Sequence, residues 1–301
     1  MNFDAPAVSI DGKKAYAIGS LPRGELVRYD SRAGQFVPFL GGIAADGLAF
    51  TSDGEWVAYI TEPARTLWRS RIDGSQRLQL TFGPMKALLP RWSPGGKRIA
   101  FMAQTADKPW KIFAISPEGG SPEQLVPGDL NEGNPTWSSD GNSLAFAGVP
   151  WVSGFLSATT SIHVLDLRSR QISALPASEG LWSPRWSPNG LYLAAITTDS
   201  QKLLLYDFET RQWSELARLN IAYTAWSRDS KYVYVGSFSA DEPAVYRVRV
   251  ADRNVERVVS LKGQRQAWTL GPWFGLAPDD SPMILRDIGA QEIYALDVHF
   301  P

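Results

Sequence analysis

The chain has 301 residues, with 30 Lys plus Arg against 31 Asp plus Glu, no cysteine and two histidines. That balance supplies no charged field for nucleic acid or an anionic membrane, and it excludes disulfides, thiolate metal sites, a cysteine nucleophile and His-rich metal centres. No basic segment precedes an apolar one at the N-terminus and no run nears the ~18 apolar residues of a membrane span, so the chain reads as soluble, cytoplasmic or periplasmic.

Twelve Trp, 26 Gly and 21 Pro suit short strands separated by turns. The first strand ends at Val8 in "PAVSIDGKKAYAIG"; "ELVRYD" and "QFVPFL" follow as third and fourth strands. The pattern restarts at Phe50 with "LAFTSDGEWVAYIT", then "TLWRSR" and "QRLQLT". It returns at Trp92 ("PRWSPGGKRIAFMA", "KIFAIS", "PEQLV") and Trp137 ("PTWSSDGNSLAFAG", "SIHVLDL", "QISALP"). Trp186 ("PRWSPNGLYLAAIT", "KLLLYDF", "QWSELA") and Trp226 ("TAWSRDSKYVYVGS", "AVYRVRV", "VERVVS") continue it. The last copy, at Leu276, runs through "GLAPDDSPMILRD" and stops after "EIYALDV". Anchor spacings are 42, 42, 45, 49, 40 and 50 residues. Four strands per unit of this length predict a β-propeller: one all-β domain over 1–301, with seven blades of four antiparallel strands and a three-stranded last blade.

The turn that follows each aromatic, Ser-x-Asp/Asn-Gly, uses Asp or Asn to bond its own amides and Gly to permit positive φ. Gly95-Gly96-Lys97 is one of these turns and not a phosphate loop. The first Gly of that motif is Arg91, its Ser/Thr is Arg98, and a strand follows where a helix is required. The acidic pairs Asp279-Asp280 and Asp207-Glu209 also fall in turns. No Ser-His-Asp or nucleophile-elbow arrangement stands out, and His163 alternates within a strand. No catalytic residue, metal site or cofactor is expected.

The Trp-Ser-x-Asp-Gly turn followed by "IAF" resembles the repeat of TolB-like propellers, relatives of the WD-repeat propellers. Residues 24–43 and 274–298 resemble a narrower group: C-terminal propellers of multidomain bacterial proteins that carry a winged-helix DNA-binding region or a serine/threonine kinase upstream. The resemblance implies a sensing or interaction module. Because the seventh unit lacks a fourth strand, a closing strand upstream of Met1 is expected, as in a piece of a larger regulatory protein, and an open edge there would favour self-association. The alternative is an accessory propeller of a peptidase-type hydrolase, or a propeller lyase. For the lyase the resemblance implies several His ligands, where only His163 and His299 exist.

Function is expected in departures from the repeat. Trp92, Trp137, Trp186 and Trp226 share one position and should wedge between blades, each burying on the order of 200 Å². Trp110, Trp151, Trp182, Trp268 and Trp273 lie outside that position, in loops of one face, where they either bind a partner or pack together to plug the channel. Arg91 and Arg185 precede the motif Trp, where other copies carry Ala, Thr or Gly. They point to an anionic ligand or acidic protein partner near the axis, or to a salt bridge with Glu132 or Glu179.

Overall fold

The computed structural model describes residues 2–11, 13–21, 23–105, 108–128, 130–149, 160–239, 241–267 and 273–297. Among the described residues, seven antiparallel sheets are present, as the repeat predicts, six with four strands and one with three. Each inner strand ends at the anchor and turns through the motif. In the fourth repeat the Ser138 hydroxyl donates to Asp140 Oδ1 at 2.6 Å, Asn142 N donates to the same oxygen at 3.0 Å, and Ser143 N donates to Ser138 Oγ at 2.9 Å. Gly141 supplies the left-handed step at φ 72°. These bonds, the Ser138 hydroxyl foremost, hold the Asp140 carboxyl below its ordinary range. The Asp in the motif is therefore a turn clamp that favours its charged form.

Successive sheets are joined by the motif indoles. Trp92 Nε1 donates to Ala49 O at 3.1 Å, Trp137 Nε1 to Arg91 O at 2.9 Å and Trp226 Nε1 to Arg185 O at 2.8 Å. In each case the acceptor is the residue before the preceding sheet's anchor. Trp186 makes its link through its backbone N–H, which donates to Thr136 Oγ1 at 3.0 Å. The indole is thus both a wedge and a donor to the neighbouring sheet's backbone. Trp137→Ala should cost about 3–5 kcal/mol in urea unfolding. Trp137→Phe, which keeps a ring but removes the donor to the Arg91 carbonyl, should cost about 0.5–1.5 kcal/mol. A Phe variant as stable as the parent would remove the hydrogen bond from the account.

The chain ends combine in a way the repeat does not announce. Phe274–Leu276 and Pro282–Asp287, from the last repeat, pair with Gly24–Asp30 and Gln35–Pro38, from the first, as one four-stranded sheet. Its inner strand lies against Tyr223–Trp226 on one side and Ala45–Phe50 on the other. The six four-stranded sheets therefore close a cycle among themselves. Among the described residues, the first repeat's third and fourth strands complete the last repeat's sheet and cover its edge. Glu25 and Arg286 clamp this junction at 2.6 Å.

The three-stranded sheet is Asn2–Val8, Lys14–Leu21 and Ala290–Asp297, with the middle one central. Residues 2–8 lie on the far side of Lys14–Leu21 from Ala290–Asp297, so they do not pair with that strand. Pairing runs from Met283↔Arg28 to Asp287↔Gly24 and resumes from Leu21↔Ala290 to Lys14↔Asp297. One long two-stranded ribbon thus carries the three-stranded sheet beside the cycle. That sheet packs chiefly on itself, and Val8, Ile18, Ile293 and Leu296 are exposed.

Candidate functional site: an arginine-lined channel

The inner strands position the site through a shared irregularity. Register shifts fall between Asp46 and Ala49, Leu88 and Arg91, Gly133 and Thr136, and Trp182 and Arg185. Each inserts a left-handed residue, Gly47 (φ 60°), Leu89 (φ 49°), Asn134 (φ 55°) or Ser183 (φ 52°). In three of the four, proline follows: Pro90, Pro135 and Pro184. Such bulges re-aim side chains, and proline fits there because it has no ladder hydrogen to lose. A leucine in this conformation is uncommon and strained, so the packing around Leu89 must hold it.

Beyond the bulges stand Arg91 and Arg185. Arg91 Nη1 donates to Pro90 O at 2.7 Å, and Arg185 Nη1 to Pro184 O at 2.8 Å. Arg185 Nη2 reaches Asn134 Oδ1 at 3.4 Å, an oxygen that also accepts from Ser183 Oγ at 3.3 Å. Neither arginine has a carboxylate within ion-pair distance among the described residues. Glu132 bonds Lys111 at 3.0 Å instead, and Glu179 pairs with neither arginine, so the salt-bridge alternative is not realised. Arg185 Nε, Asn134 Nδ2 and Thr224 Oγ1 are buried without a partner.

Electrostatics follow from that arrangement. Burial pulls Arg91 down to about 10, with Tyr223 opposing. Burial pulls Arg185 well below its ordinary value, and the charge of Arg91 adds to the effect. Guanidinium stays protonated in proteins, so these shifts express two cations held in an environment that lacks their counter-charge. Tyr223 is pushed up to about 12, chiefly by burial. It packs against the cluster of Leu89, Met102, Trp110 and Val149 as well as that containing Leu48 and Trp273. Its ring therefore spans the axis. Asp46, beside Glu62 and Arg65, is pushed up to about 7, first by burial and then by Glu62.

Arg91, Arg185, Tyr223, Thr136 and Trp273 line one cavity of about 310 Å³. Its other walls include Phe50, Trp92, Trp186, Trp226 and Phe274, together with Pro188 of a motif turn. The cavity lies at the turn ends of the inner strands, opposite the loops that precede Trp182 and contain Trp110. A donor-rich set with no free acceptor carboxylate suits anion binding rather than proton transfer. Among the described residues, no three His, Asp or Glu side chains converge as a metal site.

The predicted residues are only partly brought together. Arg91, Arg185 and Trp273 share the cavity. The surface placement expected for Trp110 and Trp273 is corrected, since each is 5% exposed. Trp110 packs on Leu89 and Met102, and Trp273 packs on Leu48 and Met283. Both rings turn inward because a large apolar ring gains more from the core than from water. Trp182 is half-buried, its indole donating to Thr197 O at 3.0 Å. Trp151 and Trp268 lie outside the described residues. Asn134 and Tyr223 were missed. Tyr223 occupies the place of Gly47, Leu89, Asn134 and Ser183 in other copies, a departure of the kind that singled out Arg91.

Comparison with known proteins places this geometry. No family model matches the chain. The structure of a putative TolB from Agrobacterium tumefaciens superposes with a TM-score of 0.68 at 18% identity, covering 89% of this chain and 99% of that one. The fold is that of a TolB-like propeller. TolB from Acinetobacter baumannii agrees at a TM-score of 0.58 and 19% identity, covering 92% of this chain and 81% of that one. An oligogalacturonate lyase in complex with manganese shares the TolB-like propeller's fold at a TM-score of 0.51 and 13% identity, covering 95% and 96%. In sequence, an uncharacterised protein of Agrobacterium fabrum is 28% identical over 115 residues, 34% of this chain and 39% of that protein. The Tol-Pal system protein TolB of Syntrophus aciditrophicus is 39% identical over 57 residues, 19% of this chain and 12% of that protein. The chain thus matches well under half the length of these curated relatives.

Proposed function

We propose that this TolB-like propeller is a non-catalytic binding module, a scaffold or sensor that captures a protein or ligand through an acidic group at Arg91 and Arg185. The observation that carries the reading is two cations in one cavity with no carboxylate partner among the described residues. Left empty, they destabilise the fold, and an incoming anion would relieve them. The likeness to TolB structures supports a binding scaffold, although the same fold also serves a lyase. Trp273 would contribute a wall of the site, while Trp110 and Trp182 would act as scaffold. Trp151 and Trp268 remain candidates for the loop face.

Immobilised parent protein and an Arg91→Ala/Arg185→Ala variant, exposed to the same bacterial extract, would test this. A species retained by the parent, released by high salt and lost from the variant is the expected result. Equal retention by both would refute the reading.

A further inference from the structure

From the free edges of the two arginines, we infer that the cavity takes an organic carboxylate carrying an apolar body, in preference to a phosphate. The inference rests on the binding reading above and specifies its ligand. Each guanidinium spends Nη1 on the carbonyl of its own preceding proline. The Nε–Nη2 edge is left over. In Arg185 the Nε is buried with no partner, and its Nη2 has only the 3.4 Å contact to Asn134. That edge is the planar fork which a carboxylate meets with two parallel hydrogen bonds. Thr224 Oγ1, also buried and unpartnered, adds a neutral polar group to the cavity wall.

The backbone argues against phosphate. Phosphate sites are built from convergent N–H groups of a glycine-rich turn or helix start. Here Pro90, Pro135 and Pro184, which carry no N–H, stand immediately before Arg91, Thr136 and Arg185, and the carbonyls of Pro90 and Pro184 face the guanidinium groups. A phosphate dianion would also lose more hydration on entering than a carboxylate. The body of the ligand follows from the walls. A cavity of about 310 Å³ far exceeds a carboxylate group, and Trp92, Trp186, Trp226 and Phe274 face the remainder. An aromatic or branched aliphatic body would exclude water from the ion pair and strengthen it.

The indoles in the wall supply a readout. 3-Phenylpropionate, its amide, phenyl phosphate and inorganic phosphate are titrated into the full chain, followed by tryptophan fluorescence and by calorimetry. Saturable binding of 3-phenylpropionate, at least tenfold tighter than the amide and than phenyl phosphate, is the expected result. Arg185→Met should lose at least tenfold of that affinity. Arg91→Lys, which keeps the charge but not the fork, should lose a similar amount, with circular dichroism showing that each variant is folded. Phenyl phosphate or inorganic phosphate binding as tightly as the carboxylate would overturn the inference, as would carboxylate and amide binding alike. Absence of binding by every probe would overturn it too. In that event the extract experiment decides separately whether the arginines bind anything at all.

Discussion

Arg185→Met is expected to raise the melting temperature of the protein while abolishing anion capture. Arg185 is 4% exposed, lacks a carboxylate partner among the described residues and leaves Nε unbonded. Replacing buried ion pairs by well-packed apolar residues is often neutral or stabilising by about 1–4 kcal/mol, and here the exchange strands no carboxylate among the described residues. The exchange removes the Nη1 bond to the Pro184 carbonyl but spares the link between sheets at this position. Trp226 Nε1 bonds the Arg185 carbonyl, not its side chain, and Asn134 Oδ1 keeps its contact from Ser183. Stability gained where function is lost is the signature of a residue kept for a ligand. Scanning calorimetry of the variant and parent without added anion decides the matter. A lower melting temperature would show that the guanidinium is compensated in the resting protein, and the ligand-free cavity would then need no occupant.

The second large effect is at Asp46. Its carboxyl is pushed from 3.8 up to about 7 by burial and by Glu62, with Arg65 opposing. Between those values the folded chain binds a proton that the unfolded chain has released, so stability falls as pH rises. The contribution is complete below about pH 4, declines through pH 7 and is flat above it. At roughly 1.4 kcal/mol per unit, the span corresponds to about 4 kcal/mol for this group alone. Asp46→Asn keeps the shape and removes the titration. The variant should gain little at pH 4 and most at pH 8, measured by urea unfolding at each pH. A gain independent of pH would mean that Asp46 does not titrate in this range. The turn aspartates act in the opposite sense: Asp140 and Asp229, held low by Ser138 and by the Lys231 amide respectively, lose their contribution as pH falls through their lowered values.

The blade pattern was legible because its causes are local. A Ser-x-Asp/Asn-Gly turn closes on itself within six residues, as Ser138 to Ser143 shows, and needs no distant partner. The wedge role of Trp137 and Trp226 was legible from position alone, since a ring repeated once per sheet must meet the next sheet. Arg91 and Arg185 stood out as residues that the repeat does not require. Their environment was not legible, because whether Glu132 serves Arg185 or Lys111 depends on which strands face one another. The prolines before Thr136 and both arginines were visible in "PTW" and "PRW". The left-handed bulge ahead of them, and the free fork edge it creates, were not. Trp110 and Trp273 show the same limit: a loop position in sequence carries no statement about which way the loop folds.

The sequence by itself therefore determined the repeat, the turns, the seven sheets and the two exceptional arginines, since short-range hydrogen bonding and side-chain period decide all of these. Only the tertiary structure decided how the ends are shared, with 24–38 completing the sheet of 274–287 and 2–21 joining 290–297. It also decided that the arginines meet in a cavity with Tyr223 across the axis and no carboxylate beside them. Both outcomes depend on contacts between residues far apart in the chain. Those contacts are chosen by ring closure and burial, which no single repeat can express.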